Sequence, residues 1–145
     1  MNSKHVKSFS EFDSETQQKI NRTAELAGYG HLPQASQQVV LNVPDSSKYK
    51  EPNNNSCIGY WEEEAGCELK YNLNYYCPAC GEAMSKKNST LHGAHVYRNG
   101  NANDWFFVPL CSKCNNPENK EEMAVSTTLV PVPDECYELK EEYKE

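Results

Sequence analysis

Two cysteine pairs at matched spacing constrain this chain more than any other feature in it. Cys77-Pro-Ala-Cys80 and Cys111-Ser-Lys-Cys114 are C-x-x-C knuckles with thirty residues between them. A C-x-x-C turn offers two thiolates from one tight bend, and zinc prefers four soft ligands in a tetrahedron. Gly81, directly after the first knuckle, suits the positive φ that such a bend needs. The spacing therefore predicts one structural Zn2+ per chain, held by Cys77, Cys80, Cys111 and Cys114. A redox role fits less well, because two matched pairs favour one shared metal. The other three cysteines, Cys57, Cys67 and Cys136, have spacings that match no compact ligand pair, and are expected to be unbridged, partly buried thiols. A second metal site built from them would need a fourth ligand, with His31 or His92 as the available histidines.

A metal staple suits the rest of the composition. The chain has 145 residues, enough for one domain or one domain with an extension. Only 37% of residues are hydrophobic and the mean hydropathy is -0.85, so the apolar core is modest. No apolar run approaches a membrane span, and the first residues lack the apolar stretch of a secretory signal. A cytoplasmic location is expected, where paired cysteines bind metal more often than they form disulfides.

The formal net charge is -7. That argues against a general nucleic-acid binder, since neutralising phosphate supplies most non-specific affinity. The charge is uneven. Residues 77–114 carry Lys86, Lys87, Arg98 and Lys113 against Glu82 and Asp104, a local balance of +2. The acidic excess lies in Glu62–Glu64 and from Asp134 to Glu145. Solvated surface is the plainer explanation of both runs; the sharper one is a face that mimics nucleic acid or binds a basic partner.

Residues 13–27 carry a helical pattern with Ile20, Ala24 and Ala27 on one face, ended by Gly28 and Gly30. Residues 38–43 read as a strand, and 44–56 as a loop and linker, which puts a boundary between an N-terminal helical extension (1–56) and the zinc-binding domain (57–145). Residues 68–76 alternate, with Leu69, Tyr71, Leu73 and Tyr75 on one side, and predict a strand leading to Cys77. Residues 90–97 and 105–110 predict a hairpin around Asn99-Gly100-Asn101. Pro117 confines any following helix to one that starts near it. Residues 123–132 predict one or two more strands, the last forced to an edge by Pro131 and Pro133.

Taken together, CPACG, GAHV and VPLCSKCNN resemble the HNH (His-Me finger) nuclease module over residues 75–122, about a third of the chain. The resemblance implies an α+β fold: a small zinc-stapled treble clef, in which a knuckle, a β-hairpin, a second knuckle and a short helix follow one another. Here an N-terminal helix and extra strands would surround it. It further implies that His95 occupies the position of the general base and Asn115 that of a ligand to a second, catalytic metal such as Mg2+. The family's other metal ligand falls on Ala94. Its middle asparagine falls on Trp105 or Phe106, with Asn103 and Asp104 out of register. His92 shares Ala94's side of the strand but sits about 6–7 Å further along. His92 and Asp104 are the available compensating ligands.

A hard cation held by one neutral amide binds poorly. The expected function is therefore a non-catalytic module, regulatory or inhibitory, that contacts a macromolecule, more plausibly protein than nucleic acid. The alternative is a divergent endonuclease with His95 as base and Lys86, Lys87 and Arg98 near phosphate. The plainer roles are a backbone-bonded hairpin histidine for His95, a helix N-cap for Asn115, and core packing for Trp105, Phe106 and Phe107.

Overall fold

The structure is a computed structural model that describes residues 32–144. The helix expected at 13–27 and the candidate ligand His31 lie outside the described residues.

The predicted hairpin is the centre of the fold. Strands β4 (Leu91–Arg98) and β5 (Asn101–Cys111) pair antiparallel, with His95 opposite Phe107 and Leu91 opposite Cys111. Asn99 and Gly100 make the turn, and the register slips between Tyr97 and Arg98. The residues that bulge there are tied locally: Trp105 Nε1 donates to the Ala102 carbonyl and Asn101 Nδ2 to Asp104 Oδ2. Strand β5 carries the aromatic and β-branched run Trp105-Phe106-Phe107-Val108, and β4 buries Ala94, His95 and Val96 beside it, which suits a sheet covered on two sides.

Around this hairpin a five-stranded antiparallel sheet runs in the order β6-β1-β4-β5-β7. Strand β1 (Gln34–Asn42) lies between β4 and β6 (Met123–Thr127), and β7 (Val130–Pro131) is the edge beyond β5. Pro131 is at an edge, where a residue without an N–H costs no ladder bond. Strand β1 belongs to the N-terminal segment that the sequence sets apart, yet it is bonded on both sides to strands of the later segment.

Among the described residues one α-helix, α1 (Cys57–Ala65), packs on the sheet. Its pattern is short and interrupted by Gly59, so the sequence did not announce it. Ser56 caps it by accepting from the Gly59 N–H, and Gly66 ends it at φ +70°. The helix lies so close to β4 that a Cβ on Gly93 would sit 2.5 Å from the Ile58 nitrogen. Only glycine permits that approach. Tyr60 meets Phe107 edge to face, and the fully buried Trp61 donates its indole N–H to the Thr128 carbonyl at 2.9 Å.

The strand expected at 68–76 is a correction. Only β2 (Tyr75–Tyr76) forms, paired with β3 (Ala83–Met84). Upstream, Leu69 is buried while Tyr71 is 61% exposed, so the alternation does not mark one face. The backbone there is used otherwise. The Leu69 N–H donates to Glu62, the Lys70 N–H to the Tyr75 hydroxyl, and the Leu73 N–H closes a turn on Lys70.

The helix expected after the second knuckle is also absent, and with it the last part of a treble clef. Residues 112–115 and 117–118 are turns. Asparagine side chains explain this. Asn42 and Asn119 both donate to the Cys114 carbonyl, and the Glu118 N–H, the natural helical partner of that carbonyl, is taken by Asn116 Oδ1.

The acidic C-terminal run folds back on the domain. It forms short 3-10 turns at Asp134–Tyr137 and Glu141–Tyr143, a bridge from Leu139 to Tyr49, and an exposed Lys50–Glu138 ion pair. Among the described residues no helix is long and apolar enough to cross a membrane.

Candidate metal centre

The first knuckle is the loop of the β2–β3 hairpin, and the second begins where β5 ends. Pairing of Tyr75 with Met84 closes the base of the first loop. Within it the Gly81 N–H returns to the Cys77 carbonyl at 2.8 Å, with Gly81 at φ +79°. The Asn115 N–H makes the equivalent bond to Cys111 at 2.9 Å. Each bend thus turns two sulfurs to the same side.

The two bends face each other. The sulfurs of Cys77, Cys80, Cys111 and Cys114 all lie within 4.8 Å of one another. Cys80 Sγ and Cys111 Sγ are 3.6 Å apart, too far for a disulfide and close to the roughly 3.8 Å edge of a tetrahedron with 2.3 Å metal–sulfur bonds. Backbone N–H groups add further support: Cys111 donates to Cys77 Sγ and Glu82 to Cys80 Sγ. Cys77, Cys111 and Cys114 are buried, and Cys80 is half-buried.

The electrostatics of the cluster fit a cation. Burial pushes the Cys77 thiol well above its ordinary range. Hydrogen bonding between Cys111 and Cys114 holds the first far down and drives the second far up. Four thiols this close share protons unevenly because several buried negative charges cannot coexist unaided. A divalent ion would hold all four as thiolates, and a closed four-sulfur set is the donor chemistry of a structural metal such as zinc. Here Cys77, Cys80, Cys111 and Cys114 would hold it, and its contribution would be folding free energy.

The remaining cysteines do not join this centre. Burial pushes the Cys57 thiol up to about 12 and the Cys136 thiol up to about 11, so both stay protonated. Among the described residues the four-cysteine cluster is the only convergence of three or more His, Cys, Asp or Glu ligand atoms.

The second candidate centre is therefore placed very differently. His95 and Asn115 do line one cleft of about 350 Å³, with His92 and Glu51 on its walls. Yet His95 is only 8% exposed, and its ring stands edge-on to Phe107 at 5.0 Å and to Trp105 at 6.3 Å. Among the described residues its buried Nε2 has no hydrogen-bond partner. Burial, helped by the positive charge of Lys140, pushes the imidazole down to about 4, so it is neutral near pH 7. Ala94 is buried and offers no ligand atom. His92 is engaged with Ser112, Nε2 to Oγ 2.8 Å. Asp104 is exposed at the far end of the hairpin, bonded to Asn101.

The basic residues are dispersed as well. Lys86 pairs with Glu62 at 3.0 Å, and the Arg98 guanidinium lies 4.6 Å over the Phe106 ring. Glu62 has a role the sequence did not signal. One oxygen binds Lys86 and the other accepts from Leu69, so it ties α1 to the segment that leads to the first knuckle.

The state of His95 has a pH consequence. Its folded value lies below the unfolded one, so between about 6.5 and 4 the unfolded chain binds a proton that the folded chain does not. Stability contributed at neutral pH is thus lost as pH falls through that window. Wild-type protein is expected to lose about 2 kcal/mol more than a His95→Phe variant between pH 7 and pH 5, measured by urea unfolding. Parallel losses would mean that the imidazole is hydrated.

No known protein family, curated protein or solved structure matches the chain.

Proposed function

We propose that this protein is a non-catalytic macromolecule-binding module, stapled by one zinc ion, whose partner is a protein. The observation that carries this is the setting of His95. A general base must reach water and stand beside a metal-bound phosphate. This imidazole is instead desolvated against two aromatic rings, and among the described residues no group of three or more His, Cys, Asp or Glu ligand atoms converges beside it. The sequence of knuckle, hairpin and knuckle supports kinship with the HNH module. The turn in place of its last helix and the buried Ala94 speak for a member that has left catalysis. The net charge of -7 favours a protein partner over a polyanion. Cysteines without disulfides suit a reducing compartment, and we place the protein in the cytoplasm.

The rival is a divergent endonuclease, since His95, His92 and Asn115 share one cleft. Incubating supercoiled plasmid with the zinc-loaded protein and Mg2+ or Mn2+, beside His95→Ala, separates the two. Intact plasmid with both proteins is the expected outcome. Cleavage by the wild type that is lost in the variant would overturn the binding reading.

A further inference from the structure

The tip of the β4–β5 hairpin carries a reactive pair. Asn99 is the chain's only asparagine followed by glycine, and both residues are exposed. Asparagine is a thermolabile residue, because the next backbone nitrogen can attack its carboxamide carbon. The side chain of the following residue ordinarily crowds that nitrogen and slows the attack. Gly100 has none. A Cβ built on it would meet nothing within 4 Å, so the space around the nitrogen is open. Gly100 stands at φ +91°, a conformation that glycine takes without steric cost and that keeps bulkier residues from this position.

The Asn99 carboxamide has a definite partner. Its Nδ2 donates to Glu122 Oε2 at 2.8 Å, and Glu122 directly precedes β6. The Asn99 N–H donates to the Val39 carbonyl of β1 at 3.1 Å. The turn is thus tied to β1 by its backbone and to the entry of β6 by one amide. The second tie depends on the residue being an amide. Asparagine offers N–H donors to a carboxylate, whereas aspartate offers none and brings a second negative charge.

We infer that Asn99 is a site of spontaneous deamidation, and that the product releases the hairpin tip from Glu122. The Gly100 nitrogen gives its proton to solvent and bonds to Asn99 Cγ. The Cγ–Nδ2 bond breaks, and the departing nitrogen takes a proton from water and leaves as ammonia. A cyclic succinimide remains. Water opens either carbonyl of that ring, giving aspartate or isoaspartate, so the net exchange is one water for one ammonia. Aspartate sets a carboxylate against that of Glu122, and isoaspartate adds a carbon to the backbone path at the turn. The reaction needs neither the zinc ion nor a partner.

The test incubates the full zinc-loaded chain in mildly alkaline and mildly acidic buffer and follows it by peptide mass spectrometry with fragmentation. Asn99 is expected to gain the mass difference between O and NH before any other asparagine, and faster in the alkaline buffer. Asn88, exposed and followed by Ser89, is the comparison and should lag. Asn99→Asp reproduces one product directly. Protection of its residue-99 amide against exchange should fall about two- to fivefold, and Glu122→Gln in the same chain should restore most of it. An Asn99 that stays intact, or converts no faster than Asn88, would overturn the assignment of the site. Unchanged protection in Asn99→Asp, or a loss that Glu122→Gln does not restore, would overturn the release from Glu122.

Discussion

A Cys114→Ser chain is expected to lose its metal and, with it, the fold of residues 77–114. Cys114 is fully buried, and its sulfur is one of four that converge within 4.8 Å. A serine hydroxyl is a hard, neutral donor and replaces a thiolate poorly on a soft-ligand ion. The free energy at stake, about 10–16 kcal/mol in small zinc domains, is as large as the whole stability of an ordinary domain, about 5–15 kcal/mol. Damage should spread along a definite path. Strand β5 ends in Cys111, opposite Leu91, so release of the second knuckle opens the β4–β5 hairpin from its knuckle end. The β2–β3 pairing spans two residues a strand and cannot hold the first knuckle alone. Elemental analysis of the purified variant, with amide exchange across β4 and β5, measures both effects. Cys136→Ser is the control: it buries one hydroxyl, costs about 1–3 kcal/mol and leaves the metal content unchanged. A Cys114→Ser protein that keeps a full metal complement and slow exchange would break the link between cluster and fold.

The second large effect is expected at Trp61. Its side chain is completely buried between α1 and the sheet, and its N–H satisfies the Thr128 carbonyl on the connection between β6 and β7. Trp61→Ala should cost about 3–5 kcal/mol from lost burial and the cavity left behind, with an orphaned carbonyl adding to it. Trp61→Phe keeps much of the volume and should cost less, about 1–2 kcal/mol. Trp105, the chain's other tryptophan, remains as the fluorescent reporter for urea unfolding. A Trp61→Ala protein within 1 kcal/mol of wild type would mean that α1 lies outside the cooperative core.

The parts legible in the sequence are those that strong local chemistry determines. The C-x-x-C spacing announced the cluster, because two tight bends with paired thiols have few other uses. The turn signal Asn99-Gly100-Asn101 between residues 90–97 and 105–110 declared the hairpin in the same local way. Proline at 131 correctly demoted its strand to an edge. What stayed hidden depends on long-range partners. Helix α1 has a weak local pattern and is held by Gly93, Phe107 and Thr128, all distant in sequence. The alternation at 68–76 looked like a strand, but among the described residues only Tyr75–Tyr76 finds a partner strand, and a glutamate and a tyrosine hydroxyl take the N–H groups of Leu69 and Lys70. The expected helix after Cys114 was lost to three asparagine side chains, one of them supplied by β1 from 72 residues away. At the candidate site, sequence identified His95 as the residue of interest but not its desolvation. That follows from the packing of Trp105 and Phe107 across the hairpin, and Lys140, distant in sequence, adds only its positive charge.

The most direct measurement is X-ray absorption at the zinc edge on protein purified without chelator, with metal content determined on the same sample. One zinc per chain surrounded by four sulfurs at about 2.3 Å is the expected result. Protein that folds without metal, or an ion ringed by nitrogen and oxygen, would contradict it.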